Sequence, residues 1–139
     1  MGRIIHSQYV LNGGPTDFNL TWRLFQEQTF ELVRLTEFPL KPSRWKSIFL
    51  FQRLSDALLF IQHDKRDGEI VYEVTVNDKS KQPHRASMTL YERIPMGRPV
   101  LPALIEQARQ YWLGANASIT DPNTEILVES DVTVVQQAK

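Results

Sequence analysis

Two strand-like runs lie almost end to end near the C-terminus, and their spacing constrains the fold more than any other feature of the sequence. They cover residues 125–129 and 131–136, with one residue between them. Successive parallel strands need a crossover of about a dozen residues or more, so runs this close cannot be neighbours in a parallel α/β sheet. The sequence therefore predicts an α+β domain in which strands pair antiparallel.

Hydrophobic periodicity predicts strands and helices in alternation before these two runs. Strands are predicted at 3–11, 47–51, 69–77 and 85–94, and helices at 18–38, 56–62 and 99–114. We expect the strands at 69–77 and 85–94 to pair as an antiparallel hairpin, because only a polar loop separates them.

Residue types at the helix ends support these boundaries. Thr16 or Asp17 can cap the first helix and Ser55 the second, while Gly114 is typical of a helix end. Three threonines weaken the first helix, so a break near Gln28 remains open.

Composition restricts the classes of function. A length of 139 residues suits a single domain, 1–139. The absence of cysteine excludes thiolate nucleophiles and disulfides, and the spacing of the three histidines predicts no metal site. A net charge of zero argues against a protein that binds nucleic acid through its overall charge. No segment is apolar enough for a signal peptide or a membrane helix, so we expect a cytoplasmic protein without a membrane partner.

Three residues on separate predicted strands could together form a site. His6 lies within the first strand, Phe49 within 47–51, and Glu125 opens an apolar run. Each also has a structural interpretation: a core or edge histidine, a packed strand residue, and a charged strand end facing water. An aromatic ring near a histidine and a carboxylate would suit a flat cationic ring joined to a ribose.

Three sequence blocks resemble the ADP-ribosyltransferase superfamily, in the branch with a histidine, aromatic and glutamate triad that includes poly(ADP-ribose) polymerases and diphtheria-like toxins. The blocks are "HS" at His6 and Ser7, "SIFLFQRLSDALLF", and "TEILVESDVTV". They occur in the family's order and, with the elements between them, span nearly the whole chain. The segments "PSRWKSIF" and "YWLG" are also similar to segments of small bacterial proteins.

The resemblance implies an ADP-ribosyltransferase-like fold of split mixed or antiparallel sheets flanked by helices, with NAD as co-substrate and no metal. Glu125 would accept a hydrogen bond from the ribose, and Phe49 would stack on nicotinamide. His6 would bond the adenosine-side ribose. The amide or ribose would be held by Ser47 or Ser7.

The resemblance implies that Arg44 binds the pyrophosphate, because the N–H groups of its planar guanidinium match the geometry of phosphate oxygens. With Lys41, Lys46 and the polar loop "KSKQPHR" it could also form a basic rim that admits RNA or an acidic protein surface. Two departures from the family bear on activity. Phe49 stands where tyrosine is frequent, and no glycine precedes Ile48. Because an arginine variant of the family exists, Arg3 is an alternative to His6.

These features predict an enzyme that transfers ADP-ribose from NAD to a macromolecular acceptor, either protein, RNA or DNA. A bacterial or phage toxin or defence effector is the expected setting, with an antitoxin or other inhibitor protein as a partner. The alternative is a catalytically degenerate module of the same fold that binds a nucleotide or a partner without turnover.

Overall fold

The computed structural model of the protein describes residues 18–64, 66 and 68–138, and the predicted strand at 3–11 lies outside them. The helices are α1 (Phe18–Glu37), α2 (Leu54–His63), α3 (Met88–Glu92) and α4 (Val100–Leu113). The strands are β1 (Ile48–Leu50), β2 (Tyr72–Val76), β3 (His84–Ser87), β4 (Thr124–Val128) and β5 (Val132–Gln137). The predicted mixture of helices and antiparallel strands is confirmed.

The strands form two separate antiparallel sheets. One has the order β1-β4-β3, and the other is a ribbon of β2 and β5. The predicted hairpin of β2 and β3 is therefore wrong. Burial explains the difference, since His84 and Ala86 of β3 are buried and need cover from a helix, whereas most of β2 is exposed.

Helix α1 runs continuously through Gln28, but its leucine-rich side is not the one that packs. Leu24, Leu32 and Leu35 are exposed, while Phe30 and Val33 are buried. The buried side also carries polar residues: Gln26, Thr29 and Arg34. This face packs because its polar side chains find partners inside the fold.

The core lies between the three-stranded sheet and the helices α1 and α4. Phe30, Leu104, Tyr111, Trp112 and Leu127 are all fully buried there. Trp112 Nε1 donates to the carbonyl of Phe30 at 2.8 Å, which ties α4 to α1. The apolar residues of α4 recur at helical spacing and pack as one stripe.

The predicted strand at 85–94 is correct only for residues 85–87, because the chain turns into α3 after Ser87. Two buried glutamines stabilise this short helix by donating to the carbonyls at its end. Gln107 donates to Leu90 and to Arg93, and Gln26 donates to Tyr91. These partners are distant in sequence, so local periodicity carries no sign of them.

Two helix ends test the expected caps. Helix α2 begins at Leu54 after Arg53, so Ser55 lies in its first turn rather than at the cap. Gly114 ends α4 with a φ of 78°, a left-handed conformation that favours glycine. Within the described ranges no helix is long and apolar enough to cross a membrane.

Candidate functional site

Hydrogen bonds to α1 and to a residue just beyond β4 hold the loop between α1 and β1. This loop carries Arg44 into the protein interior. Arg34 Nη1 on α1 donates to the carbonyl of Lys41 at 3.0 Å. The backbone N–H of Ser43 donates to Glu129 Oε1 at 2.6 Å, just beyond β4. Ser43 Oγ also donates to Glu31 on α1. The loop is thus held between a helix and a strand.

Arg44 is buried and is bound by two carboxylates. Glu27 takes a bidentate pair of hydrogen bonds, with distances of 3.0 Å to Nε and 3.1 Å to Nη2. Nη1 donates to Glu125 Oε1 at 2.7 Å and also to the hydroxyl of Tyr111. We call these four residues, Arg44, Glu27, Tyr111 and Glu125, the Arg44 cluster.

Aromatic rings enclose the guanidinium of this cluster. Its central carbon lies 3.9 Å from the ring centroid of Tyr91, 4.7 Å from that of Phe49 and 5.2 Å from that of Tyr111. A cation over such rings gains further attraction from their π electrons. Burial opposes the charge of Arg44, but Glu27 and the neighbouring groups favour it, and its pKa stays well above the ordinary value.

This environment changes the roles expected of Arg44. Because it is only 6% exposed, the predicted basic rim cannot include it alongside Lys41 and Lys46. Its fork is already engaged by the protein's own carboxylates, so a pyrophosphate would have to displace one of them.

Strand register places Glu125 and Phe49 on one face of the three-stranded sheet. Phe49 pairs with Leu127, and Glu125 lies two residues before Leu127 on β4. Residues two apart in a strand point to the same face, and antiparallel partners share that face. Glu125 is only 8% exposed, so its interpretation as a strand end facing water is wrong.

Glu125 is held through one of its two oxygens. Tyr111 donates its hydroxyl to Oε1 at 2.6 Å, and Arg44 donates to the same atom. Burial raises the pKa of Tyr111 well above its ordinary value, so its hydroxyl remains a donor at neutral pH. The second oxygen, Oε2, takes part in neither bond.

The structure describes only some of the other predicted site residues. His6 and Ser7, like the alternative Arg3, lie outside the described residues. Ser47 is buried next to the cluster's loop, and its hydroxyl has no hydrogen-bond partner within the described part of the chain. Phe49 is half-buried and contacts Arg44. The structure thus brings Phe49, Arg44 and Glu125 together.

A cleft of about 810 Å³ opens beside β1, between α2 and the β2-β5 ribbon. We call it the β1 cleft. Its aromatic lining consists of Phe49, Phe51, Phe60 and Tyr72. Phe49 borders both the cleft and the Arg44 cluster, whereas Glu125 is not among the described lining residues.

Sequence reasoning missed the residues that hold Arg44 and Glu125. Neither Tyr111 nor Glu27 is among the residues that the sequence indicates for the site. A signal for Glu27 did exist, because Glu27, Glu31 and Arg34 recur at helical spacing with Phe30 between them. Charged residues on the buried side of a helix indicate buried ionic partners.

A comparison with known protein families identifies the family to which the chain is similar. A family model described as "Protein of unknown function (DUF2441)" matches residues 7–139. No curated protein matches the chain.

Proposed function

We propose that the chain, which belongs to the DUF2441 family, binds NAD and transfers its ADP-ribose to a macromolecular acceptor. The observation that carries the proposal is the shared sheet face of Phe49 and Glu125, with Arg44 between them. The Arg44 guanidinium lies 4.7 Å from the Phe49 ring centroid and 2.7 Å from Glu125 Oε1. An aromatic ring and a carboxylate are therefore close together in a buried setting.

This pair suits the chemistry of NAD cleavage. Breaking the bond between nicotinamide and ribose develops positive charge on the ribose, as in other sugar-cleaving reactions. A carboxylate that accepts from a ribose hydroxyl stabilises that charge, and it does so best where water is excluded. We assign this role to Glu125 and the stacking of nicotinamide to Phe49.

The β1 cleft supports the proposal by offering room next to Phe49. A flat ring stacked on Phe49 would lie at the boundary between the cleft and the Arg44 cluster. The two separate antiparallel sheets are also compatible with the split-sheet fold that the sequence resemblance implies. His6, Ser7 and Ser47 complete the proposed NAD site as residues that bond the riboses or the amide.

The proposed setting is a cytoplasmic toxin or defence effector of bacterial or phage origin. Its acceptor is a protein, RNA or DNA, and its partner is an antitoxin or another inhibitor protein. This setting is proposed from the sequence resemblance alone.

A second candidate function is nucleotide or partner binding without turnover. The observation that favours it is the burial of Glu125 in a closed set of bonds with Arg44 and Tyr111. Phe49 also lacks the hydroxyl of the tyrosine that is frequent at this position in the ADP-ribosyltransferase superfamily. A protein of this kind would bind NAD and leave it intact.

One experiment tests both candidates. The protein is incubated with adenylate-labelled NAD and a bacterial lysate, and labelled products are then digested separately with protease and nuclease. The test variant is Glu125→Gln, which keeps the shape and can still accept hydrogen bonds. The matched control is Glu106→Gln on the exposed side of α4. Circular dichroism would check that both variants fold.

Label incorporation that is lost in Glu125→Gln and kept in Glu106→Gln would support transfer. The digestion that releases the label would identify the acceptor class. Tight NAD binding by calorimetry without nicotinamide release would instead favour the binding module. If the protein neither binds NAD nor releases nicotinamide, both the transferase and the NAD-binding module are overturned.

A further inference from the structure

Three elements of the fold converge on a single carboxylate oxygen. Oε1 of Glu125 on β4 accepts from Tyr111 on α4 at 2.6 Å and from Arg44 in the loop before β1 at 2.7 Å. Arg44 Nη1 also donates to the hydroxyl oxygen of Tyr111, which closes a triangle of hydrogen bonds. Each corner of the triangle is buried.

The hydroxyl of Tyr111 has little freedom to bond elsewhere. Its ring packs edge-on against Phe30 and Trp112, with centroid distances of 5.2 and 4.9 Å. A hydroxyl has one proton to donate, and here that proton goes to Glu125. Since burial raises the pKa of Tyr111, the proton stays in place at the pH where proteins function.

We propose that Tyr111 is a positioning residue that fixes Glu125 so that Oε2 is the oxygen that meets the ligand. The inference rests on the proposed function of Glu125 and deepens it. Oε1 already accepts two hydrogen bonds, which occupy its lone pairs, so a ribose hydroxyl is left with Oε2. Tyr111 touches no ligand in this arrangement and acts only through Glu125.

Arg44 contributes the second constraint. Its bidentate bonds to Glu27 fix the plane of the guanidinium, and the ring of Tyr91 covers one face. A planar guanidinium that is held along one edge presents its remaining N–H groups in a defined direction. Glu27 therefore supports the orientation of Glu125 from α1 without contacting it.

The test variant is Tyr111→Phe, which removes the hydroxyl and keeps the ring. The matched control is Thr29→Val, which removes a buried hydroxyl that donates to the carbonyl of Phe25 at 2.8 Å, outside the Arg44 cluster. For each variant we would measure kcat and KM for nicotinamide release, the Kd for NAD by calorimetry, and the folded fraction from urea unfolding.

For Tyr111→Phe we expect kcat per folded molecule to fall by about 10-fold to 100-fold, because a misdirected catalytic group loses rate steeply. KM and Kd should stay close to the wild-type values, and the kcat of Thr29→Val should stay close to that of the wild type. Equal losses in the two variants, or an unchanged kcat in Tyr111→Phe, would overturn the positioning role alone. Absence of nicotinamide release by the wild type would overturn the proposed transferase function, and the inference with it.

Discussion

Arg44 and Glu125 lie 81 positions apart in the sequence, yet Arg44 Nη1 and Glu125 Oε1 are 2.7 Å apart in a buried ion pair. The contact joins the loop before β1 to the central strand of the three-stranded sheet. Arg44 also neutralises Glu27 on α1, so one cation serves two carboxylates. The integrity of this part of the fold therefore depends on Arg44.

Replacing Arg44 with leucine should destabilise the protein severely. The change leaves Glu27 and Glu125 without their cation in a buried environment, and breaking a buried pair in this way typically costs about 3–5 kcal/mol. The free energy of unfolding, measured by urea denaturation followed by circular dichroism, reports the loss.

The matched control is Arg109→Leu. Arg109 also forms a bidentate pair, with Glu37, but that pair is exposed to water. Exposed ion pairs contribute little, because solvent screens them. The two variants should therefore differ widely in their urea midpoints, and similar midpoints would show that Arg44 is not a structural centre.

The regular elements were predictable wherever one local pattern dominated. Helix α4 follows its apolar stripe to Gly114, and β4 and β5 follow two short β-rich runs. The pairing of β2 with β5 was not predictable, because strand partners depend on which faces must be buried. The turn into α3 depends on Gln26 and Gln107, which come from two other helices.

The sequence indicated several residues of the candidate site but not how these residues are arranged. Glu125 and Phe49 were selected from their strands, and strand register does place them on one sheet face. The role of Arg44 could not be derived, because an arginine in a polar loop reads as solvated until its buried carboxylate partners are known. Those partners, Glu27 and Glu125, come from elements far apart in the chain.

Leu104→Ala should be strongly destabilising, because Leu104 on α4 is fully buried in the core. Truncating such a leucine leaves a cavity and typically costs about 2–5 kcal/mol. Leu113→Ala on the same helix is the control, since Leu113 is 64% exposed. Its free energy of unfolding should change by less than about 0.5 kcal/mol. A comparable loss in both variants would contradict the packing of α4.

Phe49 offers a prediction about ligand binding that depends on the proposed function. Phe49→Leu removes the ring that borders the β1 cleft and should weaken NAD binding by about 1–3 kcal/mol, the usual value of one aromatic stacking contact. Phe49→Tyr keeps the ring and should retain the wild-type Kd. Calorimetry measures both values. An unchanged Kd in Phe49→Leu would remove Phe49 from the proposed NAD site.

His84 should make stability depend on pH. Its ring is buried against Trp112 and bonded through Nε2 to the carbonyl of Tyr111. Burial, aided by the charge of Lys41, lowers the pKa of His84 to about 4 from an ordinary value of 6.5. Between these values the unfolded chain binds a proton that the folded chain does not, so stability rises with pH in this range.

The contribution of His84 should therefore be complete above pH 6.5 and lost as the pH falls toward 4. Between pH 7 and pH 5 the free energy of unfolding should drop by about 2 kcal/mol more in the wild type than in His84→Gln, which has no titrating ring. Urea unfolding at the two pH values measures the difference, and NMR titration of the ring protons locates the midpoint. If the two proteins lose equal stability, or if the ring titrates near pH 6.5, then His84 is not buried as a neutral base.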